Sequence, residues 1–363
     1  MQIKFSPYYQ ITLKISSDLL RIERVKEKIP HLPLTPSVLA SLRETARLMT
    51  THYSTMIEGN LLEPDEVRQV INEEVHLAGR ERDENEVKGY YSALRLVEEW
   101  AIKRKIITEQ NIQTLHAHVM RNGRAKVSPT LYRDGQNVIR DARTKKIVYM
   151  PPEAKDVPVL MKSLVAWISE QRAEIPAPIL AAIAHYQFAT IHPYYDGNGR
   201  TARLLTTLIL HMKGYDLKGL YSLEEYYAKY LAEYYEAISI GPSHNYYLGR
   251  AEADITKWVE YFVEGMASSF EAVLKKMTMA QKEGKRDHSK QLRALDPRQR
   301  RALELFQKFE IITSRQISEL FNFKLRTGAL LCQTWVEEGF LEIVDPSNKK
   351  RTYRLCKKYA LLL

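Results

Sequence analysis

The chain is expected to be mainly α-helical, with one β-hairpin set among the helices and a small mixed α+β module at its C-terminal end. Three observations predict this. Apolar residues recur at helical spacing through most of the first 270 positions. Around a basic turn at 143–146, two short extended pieces read as a hairpin. From residue 297 onward, three short helical patterns precede two strand-like pieces joined by Asp345-Pro346-Ser347-Asn348.

At 363 residues the chain can hold two or three domains and a sizeable core. A hydrophobic share of 45% fits a globular protein. Lys and Arg outnumber Asp and Glu by 54 to 44, and the excess is concentrated late in the chain. Such a balance admits acidic partners or nucleic acid and requires neither. Cys332 and Cys356 are the only cysteines, too few for a disulfide framework and without the ligand clusters of a zinc site, so a reducing cytoplasm is the expected home. Residues 1–7 lack the pattern of a signal peptide, and apolar runs such as 179–184 and 204–210 are far short of a bilayer span. No membrane partner is expected.

Residues 1–40, interrupted by Pro30, Pro33 and Pro36, are expected to form an extended arm. From Ser37 the residues Leu39, Leu42, Ala46 and Met49 share one side of a helix that Gly59 and Asn60 stop. Glu63-Pro64-Asp65-Glu66 opens the next helix, in which Val67, Val70 and Ile71 share a face. Over 84–102, Val87, Tyr90, Tyr91, Leu94, Val97 and Trp100 form a core-facing stripe. Thr108 begins a helix in which His116 and His118, two apart, face different sides; both are read as structural or surface histidines. The hairpin follows, then helices at 157–170 and 179–191, a helix after Gly199, a tyrosine-rich helix at 221–240 and another from about 253. Residues 275–296 are charged and poor in large apolar side chains, and read as a helical extension and linker. Helices at 298–309, 313–321 and 324–338 and strands at 340–344 and 351–355 complete the chain.

One stretch carries the chemistry, from His192-Pro193-Tyr194-Tyr195-Asp196 through Gly197-Asn198-Gly199-Arg200-Thr201-Ala202-Arg203. Gly197 and Gly199 let backbone N–H groups approach a ligand, and the apolar run after them reads as a helix whose positive end favours anions. Arg200 and Arg203, three apart, can reach one polyphosphate. Asp196 can hold Mg²⁺ on the phosphates, and His192 can accept a proton near neutral pH. Together these imply transfer of a phosphorus-containing group. Upstream, Ser54 and Glu58 lie four apart on one helix face, and a carboxylate at a helix C-terminus invites a cationic partner.

These residues resemble the signature of the Fic (Fido) family, His-Pro-Phe-x-Asp/Glu-Gly-Asn-Gly-Arg-x-x-Arg, with Tyr194 in place of the Phe. Ser54-Thr55-Met56-Ile57-Glu58-Gly59 is similar to the family's inhibitory motif, Ser/Thr-x-x-x-Glu-Gly/Asn. The hairpin, with its Arg, its Gln136-Asn137 and its Pro151-Pro152, resembles the family's flap, and Ala253 to Phe262 resembles the closing helix of its core. The resemblance covers roughly residues 42–266, and the C-terminal module is similar to the winged-helix domain of many members.

What the resemblance implies is a Fic-type helical core with a hairpin flap, a protein adenylyltransferase that moves AMP from ATP to Ser, Thr or Tyr hydroxyls of a target protein, itself among the candidates. His192 would be the base, Asp196 the Mg²⁺ ligand, and Gly197, Asn198, Gly199, Arg200, Thr201, Ala202 and Arg203 the ATP cradle, with Tyr234 and Tyr235 near the adenine. Glu58, assisted by Ser54, would hold Arg203 and block the γ-phosphate. Ile147, Val148, Tyr149 and Met150 would align the target by strand addition. The domains implied are an arm at 1–40, an inhibitory helix region at 41–80, a core at 81–270, a linker at 271–296 and the winged helix at 297–363. Rival readings are hydrolytic removal of AMP in the same fold, and a DNA-binding regulator whose core senses nucleotide. In the C-terminal module Lys324, Arg326, Lys349, Lys350, Arg351 and Arg354 could meet phosphates, while Glu337 and Glu338 on its third helix favour protein contact or a homodimer equally.

Overall fold

The structure is a computed structural model, and it describes residues 4–31, 36–72, 75–121, 127–140, 144–171, 173–241, 243–283, 295–347 and 351–362. The chain divides into two compact units, Met1–Lys26 with Thr45–Ala272, and Glu27–Glu44 with Val273–Leu363.

In the first unit the helices are α1 (Leu13–Lys28), α2 (Pro36–Met56, entering from the second unit), α3 (Pro64–Asn72), α4 (Glu81–Ile102) and α5 (Glu109–Met120). A two-stranded hairpin follows, β1 (Ile139–Arg140) and β2 (Ile147–Tyr149), antiparallel with Ile139 opposite Tyr149. Then come α6 (Val157–Gln171), α7 (Ala177–Ile191), α8 (Asn198–Met212), α9 (Leu223–Lys229), α10 (Leu231–Ile238) and α11 (Thr256–Glu283).

The core of this unit is set by α7 and α8. Every residue of α7 except Ala189 is buried, so its sequence is apolar all round instead of amphipathic. Against α8, the helices α4 and α5 bury Tyr90, Leu94, Val97, Trp100, Leu115 and Val119 around Leu204 and Leu208. Gly89 permits this approach, because a Cβ there would collide with the Val119 carbonyl oxygen. Thr108 caps α5 by accepting a hydrogen bond from the Asn111 amide, as its position in the sequence predicts.

The expected arm at 1–40 is corrected by α1. Ile15, Ile22 and Val25 recur at helical spacing and are buried, and α1 lies along α11, with Arg21 paired to Glu271 at 2.7 Å. The prolines that pointed to an arm lie beyond the end of α1. Only residues 4–12 are extended, with the Ile255 amide donating to the Tyr8 carbonyl at 2.9 Å. The single helix expected at 221–240 is two, broken at Tyr230, whose backbone (φ −118°, ψ 49°) is not helical.

The second unit contains α12 (Pro297–Phe306), β3 (Ile311–Thr313), α13 (Ser314–Phe321), α14 (Leu325–Glu337), β4 (Leu341–Asp345) and β5 (Thr352–Leu355). The three helices and the hairpin match the sequence expectation, and β3 adds a strand to give an antiparallel sheet ordered β3-β5-β4. Asp296 and Thr313 each build a capping box at the start of α12 and α13. Trp335, Phe340, Ile312, Ile317 and Tyr353 fill the core of the module. Much of the expected linker, along with Arg143, Lys349 and Lys350, lies outside the described residues. No helix among the described residues is long and apolar enough to cross a membrane.

Candidate active site

The site is the turn between α7 and α8. His192 ends α7 in the left-handed region (φ 51°), which a non-glycine residue adopts at a cost, and its amide still donates to the Phe188 carbonyl at 3.0 Å. Gly197, with φ 74°, is the N-cap of α8. The Thr201 amide donates back to the Gly197 carbonyl at 3.0 Å, so the amides of Asn198, Gly199 and Arg200 are those of the first turn, without acceptors inside the helix. They form an anion cradle.

Four side chains fix this turn. Asn198 accepts from the Tyr194 amide at 2.9 Å and donates to the Tyr194 carbonyl at 2.8 Å; at 2% exposure its side chain braces the loop, so its part in the cradle that the resemblance implies falls to its backbone amide. Tyr194 packs beneath the loop, stacked on His116 with ring centroids 3.6 Å apart. His116 Nε2 lies 2.8 Å from the Asp196 carbonyl oxygen. Arg133 donates through Nε to the His192 carbonyl at 3.0 Å, through Nη1 to that of Gly135 at 3.0 Å and through Nη2 to that of Pro152, and its own amide donates to the Pro193 carbonyl at 2.9 Å.

His116 and Arg133 are the residues that sequence reasoning missed. Nothing in the sequence separates His116 from His118, because the partner that defines it lies 80 positions away. Arg133 had one signal, a cation among aromatic and turn residues just before the hairpin.

Burial lowers His192 to about 4, against a hydrogen-bonding contribution from the Ala189 carbonyl, so its imidazole is neutral at pH 7. Its Nδ1 lies 3.3 Å from that carbonyl, which assigns the proton to Nδ1 and leaves Nε2 as the proton acceptor. Burial likewise lowers His116 to about 4, so it meets Asp196 as a neutral ring. Asp196 is exposed, and its Oδ1 takes the Gly197 amide at 2.6 Å and Arg200 Nη2 at 3.2 Å. Arg200 itself is 2% exposed.

Arg203, 1% exposed, is held from α2. It donates to the Ser54 hydroxyl and carbonyl, both at 2.8 Å, and to Glu58 Oε1 at 2.8 Å. Burial opposes the Arg203 charge and the Glu58 carboxylate more than offsets it, raising the group above its usual range. The same Oε1 lies against Gly199, where an added Cβ would collide with it. Glu58 is thus an anion already seated in the cradle.

Other expected site residues are further back. Thr201 and Ala202 are fully buried, and the Thr201 hydroxyl donates to the Gly197 carbonyl at 2.8 Å, so their side chains support the turn. Tyr234 is 4% exposed, with its hydroxyl 3.0 Å from His185 Nε2. Tyr235 is 48% exposed, and its hydroxyl donates to the Ile57 carbonyl at 3.4 Å, which makes it the member of the pair open to a ligand. On the hairpin, Ile147 and Val148 are exposed, while Tyr149 is buried and Met150 half-buried. Among the described residues no cluster of three or more His, Cys, Asp or Glu could cage a metal.

A neutral histidine, one exposed carboxylate, a helix-end anion cradle and two buried arginines meet at this turn, an arrangement suited to phosphate groups. Residues 106–210 match the sequence profile of the Fic/DOC family. It is similar to the protein adenylyltransferase Fic of Aedes aegypti, with 28% identity over 198 residues, covering 54% of this chain and 38% of that one. A protein of the same name from Nematostella vectensis is 29% identical, covering 54% and 44%. The chain spans less than half the length of these curated relatives. Among solved structures, a Fic family protein from Desulfovibrio desulfuricans G20 aligns over 97% of this chain and 99% of its own, with TM-score 0.61 and 23% identity. Fic-1 from C. elegans aligns over 73% of each chain, with TM-score 0.59 and 23% identity. The fold is that of the Fic proteins.

Proposed function

We propose that this protein transfers AMP from ATP to a hydroxyl side chain of a protein, and that Glu58 restrains the reaction. One observation carries this reading: a single carboxylate, Glu58, lies against both Gly199 and Arg203, the cradle and the cation that a terminal phosphate would need. The name shared by the curated relatives, protein adenylyltransferase, supports it.

In the reaction the acceptor oxygen attacks the α-phosphorus of ATP, a new P–O bond forms, and the bond to pyrophosphate breaks on the opposite side. The acceptor proton goes to His192 Nε2. A base at about 4 is weak, but phosphates brought beside it favour the protonated form and raise it. The first-turn amides of α8 and Arg200 stabilise charge on the phosphates as it shifts toward the leaving group. Asp196 would hold Mg²⁺, which would neutralise phosphate charge. Arg203 takes the γ-phosphate once Glu58 leaves it. Glu58 therefore sets the fraction of molecules that are competent, a population shift and not a chemical step.

We read residues 297–363 as a winged-helix module and the cytoplasm as the location, in keeping with two free cysteines. The test uses ATP labelled at the α-phosphate, Mg²⁺ and cell lysate with wild type, Glu58→Gly and His192→Ala. Label on protein is expected to rise roughly tenfold or more in Glu58→Gly and to vanish in Glu58→Gly/His192→Ala. Absence of label from every variant sinks the reading and turns attention to AMP removal.

A further inference from the structure

The hairpin has an end at the catalytic turn and an end in solvent. Tyr149, the last residue of β2, donates its hydroxyl to the Thr190 carbonyl at 2.6 Å, two residues before His192. Next to it, Met150 is fastened on both sides of its backbone, its amide to the His244 carbonyl at 2.8 Å and its carbonyl to the Tyr246 amide at 3.0 Å. Between this anchor and the tip, Ile147 and Val148 are 41% and 40% exposed, and the sheet has only two strands.

The stretch 140–146 carries four cations, Arg140, Arg143, Lys145 and Lys146, against one carboxylate, Asp141. Arg140, Lys145 and Lys146 are exposed, and among the described residues none of them makes an ion pair. The carboxylates of the flanking segments are otherwise engaged: Asp134 accepts from the Tyr195 hydroxyl at 2.7 Å, Glu153 pairs with Lys155 at 2.6 Å, and Asp156 accepts from the Tyr247 hydroxyl. A net positive charge over these seven residues, beside an open strand, suits an acidic partner.

We propose that the acceptor of this site is an acidic protein segment, whose carboxylates meet Arg140, Lys145 and Lys146 while its hydroxyl lies by His192. The inference rests on the AMP-transfer reading and adds a substrate class to it. Strand addition along β2 supplies affinity that ignores side chains, so selectivity falls to charges at the tip. At about 3.3 Å per residue, the path from Lys146 to Tyr149 is roughly 10 Å, which sets the acidic residues about three positions from the modified hydroxyl.

The test measures binding and transfer separately, using the full chain as Glu58→Gly. Two fluorescent peptides of equal length carry one Thr, flanked three and four positions away on both sides by Glu in one and by Lys in the other. The Glu peptide is expected to bind about tenfold more tightly by anisotropy, with the difference shrinking as salt is added. In Glu58→Gly with Lys145→Glu and Lys146→Glu the preference should reverse. Equal affinity for the two peptides, or no binding of either, overturns the inference. Charge-selective binding without label from ATP on any peptide would instead sink the transfer reading and leave acidic recognition standing.

Discussion

Glu58 and Arg203 show how much one pair of residues decides. Arg203 would lose its directly paired carboxylate if Glu58 left and nothing replaced it, so release and nucleotide binding are coupled by electrostatics. His192 gives a second consequence at this scale. Because desolvation lowers it to about 4 from an ordinary 6.5, the acid limb of kcat/KM for Glu58→Gly should lie below pH 6.5; a limb at or above that value would contradict the neutral, half-buried base. Tyr194 gives a third. Its hydroxyl is buried with no hydrogen-bond partner among the described residues, where the family signature has Phe. Tyr194→Phe should therefore leave the melting temperature unchanged or raise it, and a clear fall would mean that the hydroxyl is satisfied.

At the scale of elements, the site depends on the spacing of α4, α5 and α8. α5 delivers His116 to the Asp196 carbonyl, and its distance from α4 is fixed where Gly89 meets the Val119 carbonyl. Gly89→Ala should push the two helices apart, cost on the order of 1–3 kcal/mol and lower AMP transfer together with the melting temperature. Transfer that survives while stability falls would show that α5 does not hold the turn. Helix positions were largely legible in the sequence, because the apolar stripes of α4 and α5 and the cap at Thr108 are local signals. The helix α1 was not legible: its buried stripe Ile15, Ile22 and Val25 is sparse, and the prolines that follow it dominate the local pattern. The break at Tyr230 was hidden as well, since tyrosines at helical spacing continue across it.

For the whole molecule, desolvated neutral histidines tie stability to pH. His116 and His192 are lowered to about 4 and His185 to about 3, all by burial. Between those values and 6.5 the unfolded chain binds more protons than the folded one, so stability is full above about 6.5 and is lost as pH falls toward 4. The melting temperature should drop by roughly 5 °C or more between pH 7 and pH 5; a flat profile would mean that these rings are protonated in the fold. The sequence by itself determined that a helix begins at the turn from His192 to Arg203 with both arginines in its first turns, because a helix end, two glycines and their arginines are contiguous and act through local backbone geometry. It also pointed to Glu58, through the four-residue spacing from Ser54. Only the tertiary structure decided that Glu58 rests on both Gly199 and Arg203, that Asn198 faces inward, and that His116 and Arg133 hold the turn. Those contacts join residues 59 to 149 positions apart, or depend on which side of a turn is buried, and hydrogen bonds of that kind leave no periodicity or composition to read.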